Sequence, residues 1–408
     1  DTLENRAANV SINGGSGNND IVNDGISVTM ISGDGNDIIA NAGNAAVINA
    51  DKGINSIGNA GDTVSICAGN GNDIIINEGN NVTINVAGGN NEITNKGSAT
   101  SVISNSGNNS INNYGNDVTV SGGTGNDKIL NGNSNVTLNG NKGADVFVNY
   151  YAMQVDDNYY VTAVLYDGNS VLINGDNDND YIENEGGKAT LNGGVGNDTI
   201  INNGIFVVDK NSAPLGYSAA DAGYLIDGGT GNDFVYNMNS NATINGGLGN
   251  DTIELDSNAG NNIIRYKVGD GNDIIYGFKA NSTLSIAGDF SSMQSNSDII
   301  VTISDGKITL KDAAGISDLH IIRDASNPDW TLSGTTATYG TWNDIFVMVN
   351  GVKSLDGLAI DTTNKKVTVS ASSLGTDKVT VSNGYTLKLG DNVTKSTITA
   401  AGLSINGT

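Results

Sequence analysis

The sequence predicts an all-β chain: a parallel β-solenoid with 18 residues per coil, followed by a small all-β domain. Three observations predict it. Four columns of chemically alike residues recur every 18 positions. Within each unit, apolar and polar residues alternate at period two. Beyond about residue 322 the register vanishes while strand-like runs continue.

The columns come first. Glycine stands at 17, 35, 53, 71, 89, 107, 125 and 143. Two positions on come Asn19, Asp37, Asn55, Asp73, Asn91, Asn109, Asp127 and Asp145. Two further lies an apolar column, Ile21 through Ile129 and then Phe147, and beyond it an asparagine column, Asn23 through Asn149. A second apolar column reads Ile12, Met30, Ile48, Ile66, Ile84, Val102, Val120 and Leu138. Alternation such as Asn-Val-Thr-Ile-Asn at 81–85, broken by Gly/Asn/Asp clusters, marks two short strands and two tight turns per coil. One coil cannot bury its Ile and Val alone, but stacked coils bury them in continuous columns. Glycine supplies the left-handed conformations that the turns need. Stacked asparagines at strand spacing form a hydrogen-bonded ladder, with Asn23 as its expected end.

After 145 the register continues with interruptions at Asp180, Asp198, Asp233, Asp251 and Asp273. The two 35-residue gaps, 145–180 and 198–233, predict insertions near 150–173 and 205–226 that leave the solenoid and return. Thirteen coils are expected. Residues 1–277 form the solenoid, 278–322 its closing segment and 323–408 a separate domain.

The loop Gly122-Gly-Thr-Gly-Asn-Asp127 and its counterparts ending at Asp198, Asp233 and Asp251 resemble the nonapeptide of the RTX (hemolysin-type) calcium-binding repeat family. The run Arg265–Phe278, with 298–312 after it, resembles the closing segment of such arrays. The resemblance implies a β-roll in which loops one coil apart share Ca2+. It implies ligands at Asp127, Asp145, Asp180, Asp198, Asp233, Asp251 and Asp273, with Asp37 and Asp73 further up the chain. It also implies participation of Gly123, Gly125, Gly194, Gly196, Gly229, Gly231, Gly247 and Gly249 in the loops. Calcium takes six to eight oxygens in flexible geometry, which carboxylates and turn carbonyls supply. The chain departs from the family in two ways. Only alternate half-coils carry the loop, and Asn19, Asn55, Asn91 and Asn109 replace the aspartate. Calcium is therefore expected to concentrate in the C-terminal half of the solenoid.

Composition narrows the function. A net charge of −25 opposes nucleic acid and anionic membranes and favours divalent cations. No apolar stretch is long enough to span a bilayer. Asp1-Thr-Leu-Glu-Asn-Arg6 is not a signal peptide, so the chain is expected to start after processing or to be part of something longer. Cys67, the single cysteine, reads as a small residue at a loop entrance. His320, the single histidine, is expected outside the solenoid, and no catalytic triad forms around it. The three arginines, Arg6, Arg265 and Arg323, form no row to neutralise an acidic sugar substrate. The chain therefore reads as no enzyme.

The tail shows strand-like runs at 329–333, 345–349, 366–370, 378–382 and 385–389. Its ends echo each other (Trp330-Thr-Leu-Ser-Gly-Thr335, Leu403-Ser-Ile-Asn-Gly-Thr408), which suggests one copy of a tandem module. Tyr150, Tyr151, Tyr159, Tyr160 and Tyr166 enrich the first insertion, which is expected to fold back over the solenoid flank. The expected function is a calcium-rigidified structural module of a secreted or cell-surface protein: surface layer, filament or adhesin stalk. The alternatives are a carbohydrate- or protein-binding adhesin module and the non-catalytic RTX tail of a secreted enzyme or toxin. Partners besides calcium ions are other copies of the chain or a cell-surface glycan.

Overall fold

A computed structural model describes residues 1–155, 161–209, 211, 214–218, 223–288, 290–317 and 319–323, then six short strands between Trp330 and Leu389. The chain divides into two compact units, Asp1–Leu284 with Ser291–His320, and Ser285–Phe290 with Ile321–Thr408.

The first unit is the solenoid, of about 14 turns, one more than the sequence count. Thr2–Asn5 adds a strand before the first recognisable repeat, and Gly306–Leu310 pairs in parallel with Asn272–Tyr276 at the far end. Coils alternate between two parallel sheets, and the register follows the 18-residue repeat: Ile75 lies beside Ile57 and Ile93, Ile84 beside Ile66 and Val102. The register crosses both insertions intact, Phe147 facing Ile182 and Ile200 facing Val235. Both apolar columns point inward and are buried almost completely. So is a third, Val28, Ala46, Val64, Val82, Val118 and Val136, which turns the corner between the sheets. Each fully buried Ile contributes about 1.5–3 kcal/mol through removal of apolar surface from water.

The two insertions meet in one separate four-stranded sheet. Tyr151–Val155 pairs antiparallel with Val161–Asp167 and parallel with Ile205–Val208, which pairs antiparallel with Pro214–Ser218. Tyr159 and Tyr160 lie outside the described residues.

Several expectations are corrected. Glycine holds most left-handed positions on the aspartate edge, with Asp51, Asn141, Asp176 and Asp178 among the exceptions, but the asparagine edge uses Asn9, Ser27, Ala45, Thr63, Asn81, Ala99 and Asp117, with φ of 53–59°. Gly43, Gly61 and Gly79 on that edge serve close approach instead, since a Cβ on each would strike the glycine carbonyl of the coil before. The asparagine ladder does not end at Asn23: Asn5 Nδ2 donates to Asn23 Oδ1 at 2.8 Å. Cys67 sits within the strand Ser65–Asn70 and is exposed. His320 begins the strand His320–Arg323, with its Nδ1 2.9 Å from Thr283 Oγ1 of the second sheet.

In the second unit, Trp330–Ser333, Thr336–Tyr339 and Val347–Asn350 form an antiparallel sheet. Leu358–Asp361, Lys366–Val369 and Thr386–Leu389 form another, with mixed pairing. The run expected at 378–382 lies outside the described residues.

Candidate metal sites along the aspartate edge

The Asn/Asp column stacks into one hydrogen-bonded row. The backbone N–H of each member donates to the side-chain Oδ1 of the next, from Asn19 to Asp37 through to Asp251 to Asp273, at 2.7–3.1 Å. An opposed row lies one residue earlier, at the loop tips. There Asn18, Asn36, Asn72, Asn90, Asn108 and Asn126 accept through Oδ1 from the backbone of the following coil. The strands pull adjacent coils to parallel spacing, and these two rows tie the loops between them.

One carboxylate oxygen of each row aspartate is then satisfied. The other is not: Oδ2 of Asp37, Asp73, Asp127, Asp145, Asp180, Asp198, Asp233 and Asp251 is buried without a hydrogen-bond partner. A buried, unpartnered charged oxygen costs several kcal/mol unless it is protonated or paired with a cation.

The asparagine coils show what fills the same place when no charge is present. Asn19 Nδ2 donates to Gly17 O at 2.7 Å, to Ser32 O at 3.0 Å and to Asp37 Oδ1 at 3.1 Å. Asn109 Nδ2 donates to Gly107 O, Gly122 O and Asp127 Oδ1 in the same way. The amide thus presents its hydrogens to oxygens of its own loop and of the next coil. In an aspartate coil an oxygen replaces the donor nitrogen, and only oxygens face one another.

Whether there is room for an ion depends on the residue five places before the row. In the aspartate-rich half it is Gly122, Gly140, Gly175, Gly193, Gly228 and Gly246. A Cβ on Gly140 would collide with Asp145 Oδ2 and with the carbonyl oxygen of Gly175. Gly175, Gly193 and Gly228 are hemmed in likewise, by the row aspartate of their own coil and by Gly193 O, Gly228 O and Gly246 O in turn. The first glycine therefore keeps open a cleft lined by the carboxylate of its own coil and a carbonyl of the next. Before residue 120 the same position holds Gly14 ahead of the amide of Asn19, and then Ser32, Ala50, Ala68, Val86 and Ser104, each with a buried side chain where the glycine leaves space. Asp37 has Ser32 there and Asp73 has Ala68, while the Oδ2 of both is as buried and unpartnered as in the aspartate-rich half.

The expected glycines divide by role. Gly125, Gly196, Gly231 and Gly249 stand two before their aspartates, where Gly17 and Gly107 offer carbonyls to the asparagine amide. Gly123, Gly194, Gly229 and Gly247, with φ of 99–113°, form the turn itself. The six cleft glycines were not among the expected site residues, although four of them, Gly122, Gly193, Gly228 and Gly246, open the double-glycine loops that carry the resemblance.

The electrostatics agree. Burial pushes Asp127, Asp198 and Asp251 up to about 6. Burial, with the charges of neighbouring row aspartates, pushes Asp145 to about 7 and Asp180, Asp233 and Asp273 to about 8. Among the described residues no three His, Cys, Asp or Glu side chains gather where they could hold a metal ion, so an ion on this edge would draw most of its oxygens from loop carbonyls. Carboxylates and carbonyls with open clefts between coils fit a hard divalent cation such as Ca2+.

No family model matches the chain, and no curated protein matches it. Among solved structures, one similar chain is the extracellular lipase LipA from Serratia marcescens, at 17% sequence identity and a TM-score of 0.21. The match covers 55% of this chain and 44% of that one, so less than half of the lipase is spanned.

Proposed function

We propose that this chain is a calcium-binding structural module of an extracellular or cell-surface protein, and that it performs no catalysis. The observation that carries the reading is the row of buried, unpartnered Oδ2 atoms set against glycine-lined clefts. Asp127, Asp145, Asp180, Asp198, Asp233 and Asp251 would hold the ions, with carbonyls such as those of Gly140, Gly175, Gly193, Gly228 and Gly246. Calcium bound there neutralises carboxylates that otherwise oppose the fold, and it joins adjacent coils into a stiff rod. The affinity belongs to the 10⁻⁴–10⁻³ M range of extracellular modules, which keeps the sites filled outside cells and empty inside them. Such a rod suits a stalk, filament or surface layer.

Thermal melts of the whole chain, freed of metal by a chelator and then titrated with CaCl2, test this. Millimolar calcium should raise the midpoint of the solenoid transition by well over 10 °C, through linkage of several sites to folding. Identical melts in chelator and in calcium would refute the proposal.

A further inference from the structure

The outer face of the sheet that turns Ile182, Ile200 and Val235 inward changes chemistry part-way along the solenoid. Its side chains stand in two columns, kept in line by the parallel register. One column reads Tyr181, Thr199, Phe234, Thr252 and Ile274, the other Glu183, Ile201, Tyr236, Glu254 and Tyr276. Before residue 150 the same columns hold no aromatic residue, with Ile38, Ser56 and Ile74 in the one and Ala40, Gly58 and Ile76 in the other. Strand propensity and cross-strand packing favour aromatic residues all along a sheet, so their confinement to these coils needs a local reason.

Two of the rings are tethered. Tyr181 OH donates to Glu183 Oε2, two residues along its own strand, at 3.1 Å, and Asn203 Nδ2 of the next coil donates to the other oxygen of that carboxylate at 2.9 Å. Tyr236 OH donates to Asp256 Oδ2, one coil on, at 3.2 Å. An untethered strand side chain stands off the sheet, whereas one tied to a residue of its own face is drawn down along it and turns a ring face to solvent. Tyr181, Phe234 and Tyr236 are half-buried, and Tyr276 is 41% exposed. Within each column the aromatic residues stand two coils apart, about 10 Å at strand spacing. Thr199 fills the interval in one column and Glu254 in the other. Glu254 is exposed, and its carboxylate accepts no hydrogen bond among the described residues.

We infer that this strip binds an extended, neutral, β-linked polysaccharide lying along the solenoid axis. An aromatic face takes the apolar C–H face of a sugar ring, and tyrosine does so at small cost in side-chain entropy. In a β-linked chain of the cellulose or chitin kind every second sugar presents the same face, and a disaccharide unit is close to two coils in length. Rings two coils apart therefore meet equivalent sugars. Glu254, between Tyr236 and Tyr276, accepts a sugar hydroxyl, and the tethered tyrosines need little rearrangement to bind. Charge selects among occupants. From Tyr181 to Tyr276 the two columns carry Glu183 and Glu254 and no basic residue, so a uronate or sulfated glycan is repelled. Glu183 and Asp256 are already engaged by tyrosine hydroxyls, which leaves little carboxylate for a basic peptide. The strip lies on a sheet face, apart from the aspartate edge, and its argument does not rest on the calcium reading.

The test is adsorption of the whole chain, in calcium-containing buffer, to particulate cellulose and chitin, with cross-linked dextran (an α-linked glucan), polygalacturonate and poly-lysine as comparison polymers. The natural chain should be retained by at least one of the two neutral β-linked solids and by none of the comparison polymers. Tyr276→Ala and Phe234→Ala should each lower the affinity at least tenfold, whereas Tyr276→Phe, which keeps the ring, should bind as the natural chain does. Tyr276 is exposed, so its variants should keep the natural thermal midpoint, which separates a lost contact from a lost fold. No retention on either solid, equal retention of Tyr276→Ala, or stronger binding to dextran, polygalacturonate or poly-lysine overturns the inference. The calcium reading survives each of these outcomes, because the melts that test it involve no glycan.

Discussion

Asn77 uses all four of its amide hydrogen-bonding positions. Its Nδ2 donates to Gly79 O and to Asn95 Oδ1, and its Oδ1 accepts from Gly79 N–H and from Asn59 Nδ2, at 2.8–3.2 Å. Every link from Asn23 on is buried, and the ladder runs from Asn5 across both insertions to Asn237. Replacing Asn77 with Ala strands two neighbouring amides and should cost about 1–3 kcal/mol. The same change at Asn5, the half-buried terminus of the ladder with a neighbour on one side only, should cost clearly less. Denaturant melts of the two variants decide it, and equal costs would mean that the links act singly. The asparagine ladder was legible in the sequence because one residue type recurs without a break. Its starting point was not, because Thr2–Asn5 precedes the first glycine column and offers a single match. Thr63, a β-branched residue at φ +59°, was equally hidden, since side-chain periodicity says nothing about φ.

At the scale of the loop, two arrangements of one fold alternate along a single edge. An asparagine coil satisfies its loop internally through the amide; an aspartate coil leaves an oxygen that needs a proton or a cation. This makes the metal-free protein sensitive to pH in a definite direction. Asp145 at about 7, and Asp180, Asp233 and Asp273 at about 8, lie above the ordinary 3.8. The folded state therefore binds more protons than the unfolded state between about pH 4 and 8, and its stability falls as pH rises through that window. Thermal midpoints in chelator should decline from pH 5 to pH 8. Millimolar calcium should abolish the decline, because the ion takes the place of the protons. A chelated protein as stable at pH 8 as at pH 5 would show that these carboxylates ionise freely. The aspartate positions were read from spacing alone. The cleft was not, because it depends on what glycine at 140 or 175 leaves empty between two coils, a property that only stacking reveals.

At the scale of the molecule, the strict repeat made the solenoid readable and its interruptions unreadable. The gaps announced that chain leaves the stack near 150 and 205. They did not announce that Tyr151–Val155 would pair with Ile205–Val208, because that partnership joins segments about 50 residues apart with no shared period. His320 was misplaced for a related reason: outside the 18-residue register nothing in its neighbours marks the strand that brings it beside Thr283. What the repeat does encode is a division of labour. Coils before residue 120 carry an amide or a filled cleft at every loop, whereas coils from Asp127 to Asp273 stack carboxylates directly on one another. The central claim is that this division is a division in metal binding. Anomalous scattering from crystals grown in calcium, collected at a wavelength where calcium contributes, places the ions directly. Peaks between the loops of Asp127, Asp145, Asp180, Asp198, Asp233, Asp251 and Asp273, and none between those from Asn19 to Asn109, are the predicted result; peaks confined to the loops from Asn19 to Asn109 would contradict it.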